Sequence, residues 1–381
     1  MHDRKVPQSE PRSPQTRTAA RGNIVIAAGG TGGHLYPGIV LGRELAKKGF
    51  TPIFFIRRDD AAKDIVAKEG FLFHEIPISG MPRKISLRFF AFLVLLARGI
   101  ARSISLLVEL KPAATVGMGG YISFPVVLVA KLLGIPTLIH EQNYLPGLAN
   151  KLLSRVASIV AVSFQGARSA FPAEKTVLTG NPIRSELFDV PSVEAYRFFA
   201  LTQEKFTVLV FGGSQGASRV NRITIDTLEL LAKIKGGIQF IHIAGKNDVS
   251  WVEDAYVKSG FTARVYPYLH EMKYAYAAAD LVLSRSGAST VTELMMLGKE
   301  AILIPFPFAT ANHQEYNALG MEELKTAVMI REKDLTPVVL SAQVINSFTA
   351  YQHHAPTPPL PSALPQHLLA EEVAKLAGGI E

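Results

Sequence analysis

The chain has no cysteine among its 381 residues. That excludes disulfides, thiolate metal sites and a cysteine nucleophile, and it fits a reducing compartment. It has no apolar run of the roughly 18–20 residues that a bilayer crossing requires. The longest run, Phe89 to Ala97, is about half that length. No secretory leader is read either: positions 1–21 are polar and rich in Pro and Arg, and read as a disordered extension. No Asp-x-Asp pair follows the strand-like segments, so no metal and no other cofactor is expected. Negative charge is sparse at one end. The first 105 residues hold 8 Asp/Glu against 17 Lys/Arg, and the remainder holds 24 against 23. There is no aromatic–basic pattern beside this excess, so nucleic acid is not read as a partner. An anionic membrane surface suits it better.

The segment that points to a membrane is the apolar run itself. Arg83, Lys84 and Arg88 precede it, and Arg98 and Arg102 follow. One reading is a buried helix of the first domain. The other is a helix that lays an apolar side into the lipid interface with its arginines on phosphate headgroups. Both hold together if they describe different faces of one helix.

What the chain does have is a glycine-rich turn that occurs twice. Asn23 to Ala28 runs into Gly29-Gly30-Thr31-Gly32-Gly33-His34, and Phe206 to Phe211 runs into Gly212-Gly213-Ser214-Gln215-Gly216-Ala217. Each copy reads as a buried strand, a turn and a helix start, where free N–H groups and the helix dipole favour an anion. Neither ends in Gly-Lys-Ser/Thr, so a P-loop is excluded. A dinucleotide fingerprint wants an acid at the end of the second strand, but here Arg57-Arg58 come first and Asp59-Asp60 after them. A purely structural turn is the plainer alternative for one copy, less so for two.

Strand-like runs at 23–28, 52–56, 113–117, 136–140 and 158–162 alternate with helical stretches, which implies a parallel sheet. Residues 176–184 read as a further strand and its exit loop. The pattern restarts at 206, with strands at 238–243, 262–266, 280–284 and 301–304. The expected organisation is an extension over 1–21, a first domain over 22–185, a linker over 186–204 and a second domain over 205–350. A Pro-rich segment and closing helix fill 351–381.

Several residues at strand ends invite chemistry. His34 would sit at a helix start facing the cleft, where an imidazole of ordinary pKa about 6.5 suits a general base and the helix dipole keeps it unprotonated; a surface or packing role is the alternative. His140-Glu141-Gln142-Asn143 lacks the second histidine of a zinc helix and reads instead as a hydrogen-bonding edge for a sugar. Arg184 follows a strand where it could meet a phosphate; on spacing alone an ordinary surface arginine is an equal reading. Glu293 lies early in a helix after Ser284 to Thr292, where it either favours the dipole or accepts ribose hydroxyls. Asn312 to Asn317 groups amides at another helix start.

Seven ordered motifs carry a resemblance: GGTGGH (29–34), GMGGY (117–121), HEQN (140–143), GNPIR (180–184), GGSQGA (212–217), SRSGAST with Thr292-Glu293, and His313-Gln314 with Tyr316-Asn317-Ala318. Together they resemble the MurG family over about residues 23–330. The resemblance implies a GT-B architecture, two Rossmann-like α/β domains whose parallel sheets face each other across a cleft. It implies UDP-N-acetylglucosamine (UDP-GlcNAc) as donor. The acceptor it implies is lipid I, undecaprenyl-pyrophosphoryl-MurNAc-pentapeptide. The place it implies is the cytoplasmic face of the bacterial inner membrane, as a peripheral protein of peptidoglycan synthesis. It leaves wall-synthesis and cell-division proteins open as partners. By matching position, it puts Thr31, Gly32 and Gly33 near the donor and Asn143 in contact with its sugar or beside it. Arg184 and Ser214 would hold the pyrophosphate. The backbone at Leu269 would read uracil, Ala288, Ser289, Thr290 and Glu293 would line the nucleotide, and Gln314 would bind the GlcNAc hydroxyls.

The implied change from an α-linked donor to a β-1,4 product needs one inverting displacement, a base and stabilisation of departing UDP. His34 is the expected base and Glu141 the second candidate. The amides after Gly212-Gly213, Ser214 and Arg184 would meet the leaving charge, with Arg285 a further phosphate contact. Another UDP-sugar enzyme of the same architecture, such as a glycolipid glycosyltransferase or a UDP-GlcNAc 2-epimerase, is the alternative. A non-catalytic UDP-sugar sensor at the membrane is a reading of a different class.

Overall fold

Short, almost wholly buried strands dictate the architecture, because strands covered on both faces by helices belong to parallel sheets. The computed structural model describes residues 21–351 and 364–378, except positions 31, 61, 83, 85, 214, 215, 323 and 324. In the first lobe the order is β1 (Asn23–Ala27), α1 (Gly32–Lys47), β2 (Thr51–Arg57), α2 (Ala62–Lys68), β3 (Leu72–Ile76), α3 (Leu87–Leu110) and β4 (Ala114–Gly117). It continues with α4 (Gly120–Leu132), β5 (Thr137–Glu141), α5 (Leu148–Leu153), β6 (Ile159–Val162) and β7 (Thr176–Leu178). A short helix, α6 (Ser192–Phe199), leads to the second lobe. There follow β8 (Phe206–Phe211), α7 (Ser218–Thr227), β9 (Ile238–Ile243), α8 (Val249–Ser259), β10 (Thr262–Tyr266), α9 (Met272–Ala278) and β11 (Leu281–Ser284). Then come α10 (Ala288–Met296), β12 (Glu300–Leu303), α11 (His313–Glu322), β13 (Ala327–Met329), α12 (Pro337–Tyr351) and α13 (Pro365–Gly378).

All pairings are parallel. The sheets run β3-β2-β1-β4-β5-β6-β7 and β10-β9-β8-β11-β12-β13. In each, the chain leaves the first strand toward one edge and then crosses to the other side, so a crevice opens beyond the carboxyl ends of β1/β4 and of β8/β11. Ile24 pairs with Ala114 and Leu281 with Val208 at these two junctions. The two-domain α/β expectation is met, and the expected strands recur to within a few residues. Two strands, β3 and β13, escaped the sequence reading; both are short and incompletely buried, and so lack a strong apolar run.

The stretch 186–204 is more than a linker. Tyr196 and Phe199 of α6 are buried in an apolar cluster that continues from Ile139 and Val160 of the first lobe to Leu209, Ile241 and Val291 of the second. The closing helix α13 returns to the first lobe, where Leu369, Ala370 and Val373 pack with Ile24, Leu41 and Leu45. Helix α6 therefore joins the two lobes through a shared core, and α13 adds to the core of the first. The Pro-rich stretch before α13 and positions 1–20 lie outside the described residues.

Helix α3 has 24 residues and is much longer than its apolar run suggested. By length and composition it could cross a membrane, with a mean hydropathy of 1.9. Yet Phe92, Gly99, Ser103, Leu106 and Leu107 are buried against the lobe, while Leu87, Phe90 and Val94 on the opposite side are exposed. Spacing of 3 and 4 residues puts each set on its own face.

Candidate active site

A cavity of about 470 Å3 lies between the lobes, at the carboxyl ends of both sheets. From the first lobe it is lined by Gly32, Gly33 and Tyr36 of α1 and by Arg184. From the second it is lined by Gly213, Leu269, Tyr276, Ala288, Ser289, Thr290 and Glu293. The two glycine turns thus meet one space. Thr31 and Ser214, assigned to donor binding from the sequence, lie outside the described residues.

The turns are not equivalent. In the first, the amide of Gly30 already donates to the Asp60 carboxylate at 2.7 Å, so that N–H is engaged by the protein itself. This is the job of the acid that follows Arg57-Arg58. In the second, Gly216 has φ +79, and a Cβ there would stand 2.5 Å from the Ala244 carbonyl oxygen. Only glycine lets the turn close against β9. At α10, Ala288, Ser289 and Thr290 start a helix at the cavity wall, where the first amides have no partner within the helix.

Arg184 and Glu293 approach across the cavity, Nη2 to Oε1 at 3.7 Å. The Tyr276 hydroxyl donates to the other Glu293 oxygen at 2.8 Å. Burial raises the Glu293 pKa, while the Arg184 charge and the Tyr276 bond oppose that rise. Burial likewise drives the Tyr276 phenol well up, so it stays a donor at neutral pH. Tyr276 was missed from the sequence, because inside an apolar helix it looks like any core residue.

His34 lies in the first turn of α1, partly covered, with Nδ1 3.1 Å from Oε1 of Gln142. Its pKa is lowered. The main cause is burial, aided by the His313 charge; the Glu141 charge and bonds to Gln142 and the Met118 carbonyl pull the other way. His34, Asn143 and Gln314 do not line the cavity itself.

Two expectations, Glu141 and Arg285, need correction. Glu141 is buried, and both of its oxygens are engaged. Oε1 accepts the Asn143 amide and side chain, and Oε2 accepts the Gly147 amide and Asn150 Nδ2 at 2.9 Å. It organises the loop after β5 and is not a second base. Arg285 turns away from the cavity. Its guanidinium pairs with Glu332, donates to the carbonyls of Ile304 and Pro305 and lies over the Phe306 ring, so it is no phosphate contact here. Asn143 is committed to protein partners: Nδ2 donates to Glu141 and Oδ1 accepts Asn317 Nδ2 from the other lobe at 3.2 Å. Asn317 also accepts the Tyr144 amide at 2.9 Å, closing the lobes beside the cavity. Gln314 holds the Phe306 amide through Oε1 at 2.9 Å.

Residues 24–162 match the glycosyltransferase family 28 N-terminal domain, and residues 207–362 match its C-terminal domain. A UDP-N-acetylglucosamine–N-acetylmuramyl-(pentapeptide) pyrophosphoryl-undecaprenol N-acetylglucosamine transferase of Myxococcus xanthus is 41% identical over 323 residues, covering 84% of this chain and 83% of that one. The Bacillus subtilis protein of the same name is 38% identical over 317 residues, with 82% and 87% covered. The crystal structure of MurG from Acinetobacter baumannii superposes with a TM-score of 0.73 at 27% identity, over 93% of this chain and 99% of that one. A UDP-GlcNAc 2-epimerase from Neisseria meningitidis, at 15% identity and a TM-score of 0.64 over 93% of this chain and all of its own, shares the fold alone. With both domains matched and curated relatives near 40% identity over most of its length, the chain belongs to the MurG family of glycosyltransferases.

Proposed function

We propose that this chain transfers N-acetylglucosamine from UDP-GlcNAc to the MurNAc 4-hydroxyl of lipid I, giving lipid II with inversion at the sugar carbon. The observation that carries this reading is the single cavity lined from both lobes by Gly32, Gly33 and Gly213, with Arg184 opposite Glu293, in a chain about 40% identical to named transferases of this kind.

In this reading the nucleotide lies against the start of α10, with Glu293 accepting ribose hydroxyls and Tyr276 holding the carboxylate in place. The Leu269 backbone meets the base. The diphosphate rests on the Gly213 turn and the α10 amides, and Arg184 moves from Glu293 to share the phosphate charge. Such fixed dipoles act where charge develops. Oxygen O4 of the acceptor attacks the sugar C1 and gives its proton to His34, while the C1–O bond breaks and its electron pair leaves with UDP. Lowered by burial, the His34 imidazole is neutral at pH 7 and free to accept. Gln314, whose Oε1 is held by the Phe306 amide, meets the GlcNAc hydroxyls in this reading. The exposed face of α3 and its arginines support a peripheral seat on an anionic membrane, where the lipid-linked acceptor resides.

The test is turnover of radiolabelled donor with a short-chain lipid I analogue. His34→Ala is expected to cut kcat by about 10²–10⁴, the usual contribution of a general base, with donor KM within about threefold. Equal losses in affinity and turnover would make His34 a binding residue.

A further inference from the structure

Behind His34 lies a buried polar chain whose hydrogen-bond directions are fixed at both ends by main-chain carbonyls. One amide atom of Gln142 stands 2.7 Å from the Met118 carbonyl oxygen. A carbonyl only accepts, so that atom is the NH₂ group and the other is Oε1. The same Nε2 lies 3.0 Å from His140 Nδ1 and donates its second hydrogen there. His140 Nε2 lies 3.0 Å from the Gly180 carbonyl, again an acceptor only, so His140 carries its proton on Nε2 and offers the Nδ1 lone pair. Burial lowers the pKa of His140 to about 4, which keeps it neutral. Every donor of the Gln142 amide is then spent inward. Oε1 has no hydrogen to give, and it faces His34 Nδ1 at 3.1 Å. The proton between them belongs to His34.

Gly119 makes this approach possible. It has φ +91, and a Cβ there would stand 3.0 Å from His34 Nδ1 and 3.2 Å from Gln142 Oε1. The GMGGY turn therefore leaves room for the imidazole as well as starting α4. The charged and titratable groups acting on the ring are Glu141, which favours the imidazolium, and His313 of α11, which opposes it; His140 is the neutral link behind Gln142.

We propose that Gln142 is a positioning residue that, anchored through the Met118 carbonyl and the His140–Gly180 pair, holds His34 in the Nδ1–H tautomer and leaves Nε2 to take the acceptor proton. The catalytic half of this proposal rests on His34 being the base; the tautomer does not. After transfer both ring nitrogens carry hydrogen, and Oε1 still accepts from Nδ1, so the imidazolium is received without reorientation.

The experiment is ring ¹⁵N spectroscopy of the full chain with labelled histidine at a pH where His34 is neutral, its signals assigned by their loss in His34→Asn. The expected pattern is a protonated Nδ1 and a bare Nε2 in the parent chain. A proton on Nε2 in the parent chain overturns the proposal outright. In Gln142→Met both tautomers are expected, with kcat down about tenfold or more and donor KM changed less than about twofold. A folded Gln142→Met chain that keeps the pure Nδ1–H form and full kcat overturns the role given to Gln142. If His34→Ala keeps full turnover, the base reading falls and its catalytic consequence with it, whereas the ¹⁵N pattern continues to support the tautomer assignment.

Discussion

Replacing Leu87, Phe90 and Val94 together by Ser should detach the protein from anionic vesicles without unfolding it. These side chains are 89%, 59% and 59% exposed and lie on one face of α3. Fully transferring such a side chain from water is worth about 2 kcal/mol. Scaled by the exposed fractions, the three offer about 4 kcal/mol at most. A helix lying at the interface immerses roughly half of this, about 2 kcal/mol, or about a 30-fold fall in the partition coefficient. The arginines remain, each contributing about 1 kcal/mol near an anionic surface, so residual binding should vanish as salt rises. Vesicle co-sedimentation with and without phosphatidylglycerol measures both effects. Phe92→Ser is the contrast. That ring is only 9% exposed, within the cluster of Val25, Phe55 and Leu106, so its loss should cost about 3–5 kcal/mol of stability and leave the vesicle affinity of the folded fraction unchanged. Unaltered vesicle binding by a folded triple variant would refute the interfacial role of α3. Unfolding of the triple variant would refute the exposure on which it rests.

Glu293→Gln removes the charge that Tyr276 and Arg184 address and should raise donor KM about tenfold or more, the scale of a charge-assisted hydrogen bond, with kcat within about twofold; steady-state kinetics with unchanged KM would remove the ribose assignment. Acid should destabilise the fold in a defined window. His140 and His242 have folded pKa values of about 4 and about 3, below the ordinary 6.5, so the unfolded chain binds their protons first and stability falls as pH drops below about 6.5. At pH 5 each costs about 2 kcal/mol relative to pH 7.5. Asp280 runs the other way. Its pKa is raised to about 6, so the folded state takes up its proton first and regains about 1 kcal/mol by pH 5. Urea titrations should therefore show a net loss of about 3 kcal/mol between pH 7.5 and 5, steeper in Asp280→Asn; equal stability at the two pH values would contradict the buried, neutral histidines.

Much was legible along the chain because it is local. Buried strands next to glycine turns, repeated once, require two parallel-sheet lobes with anion-facing ends, and the spacing of Ala288 to Glu293 places a carboxylate one turn into a helix. The sequence also determined the family, since seven motifs in fixed order leave little freedom. What it left open are relations between residues distant in the chain. Glu141 looked like a base until Asn143, Gly147 and Asn150 were seen to saturate it. Arg285 looked like a phosphate ligand until Glu332 and two carbonyls claimed its guanidinium. The return of α13 to the first lobe, the pairing of Arg184 with Glu293 and the bond from His34 to Gln142, 108 residues apart, were all decided by tertiary packing. A side chain's residue type limits which bonds it is able to make; only the folded chain determines which partners come within 3 Å and from which direction.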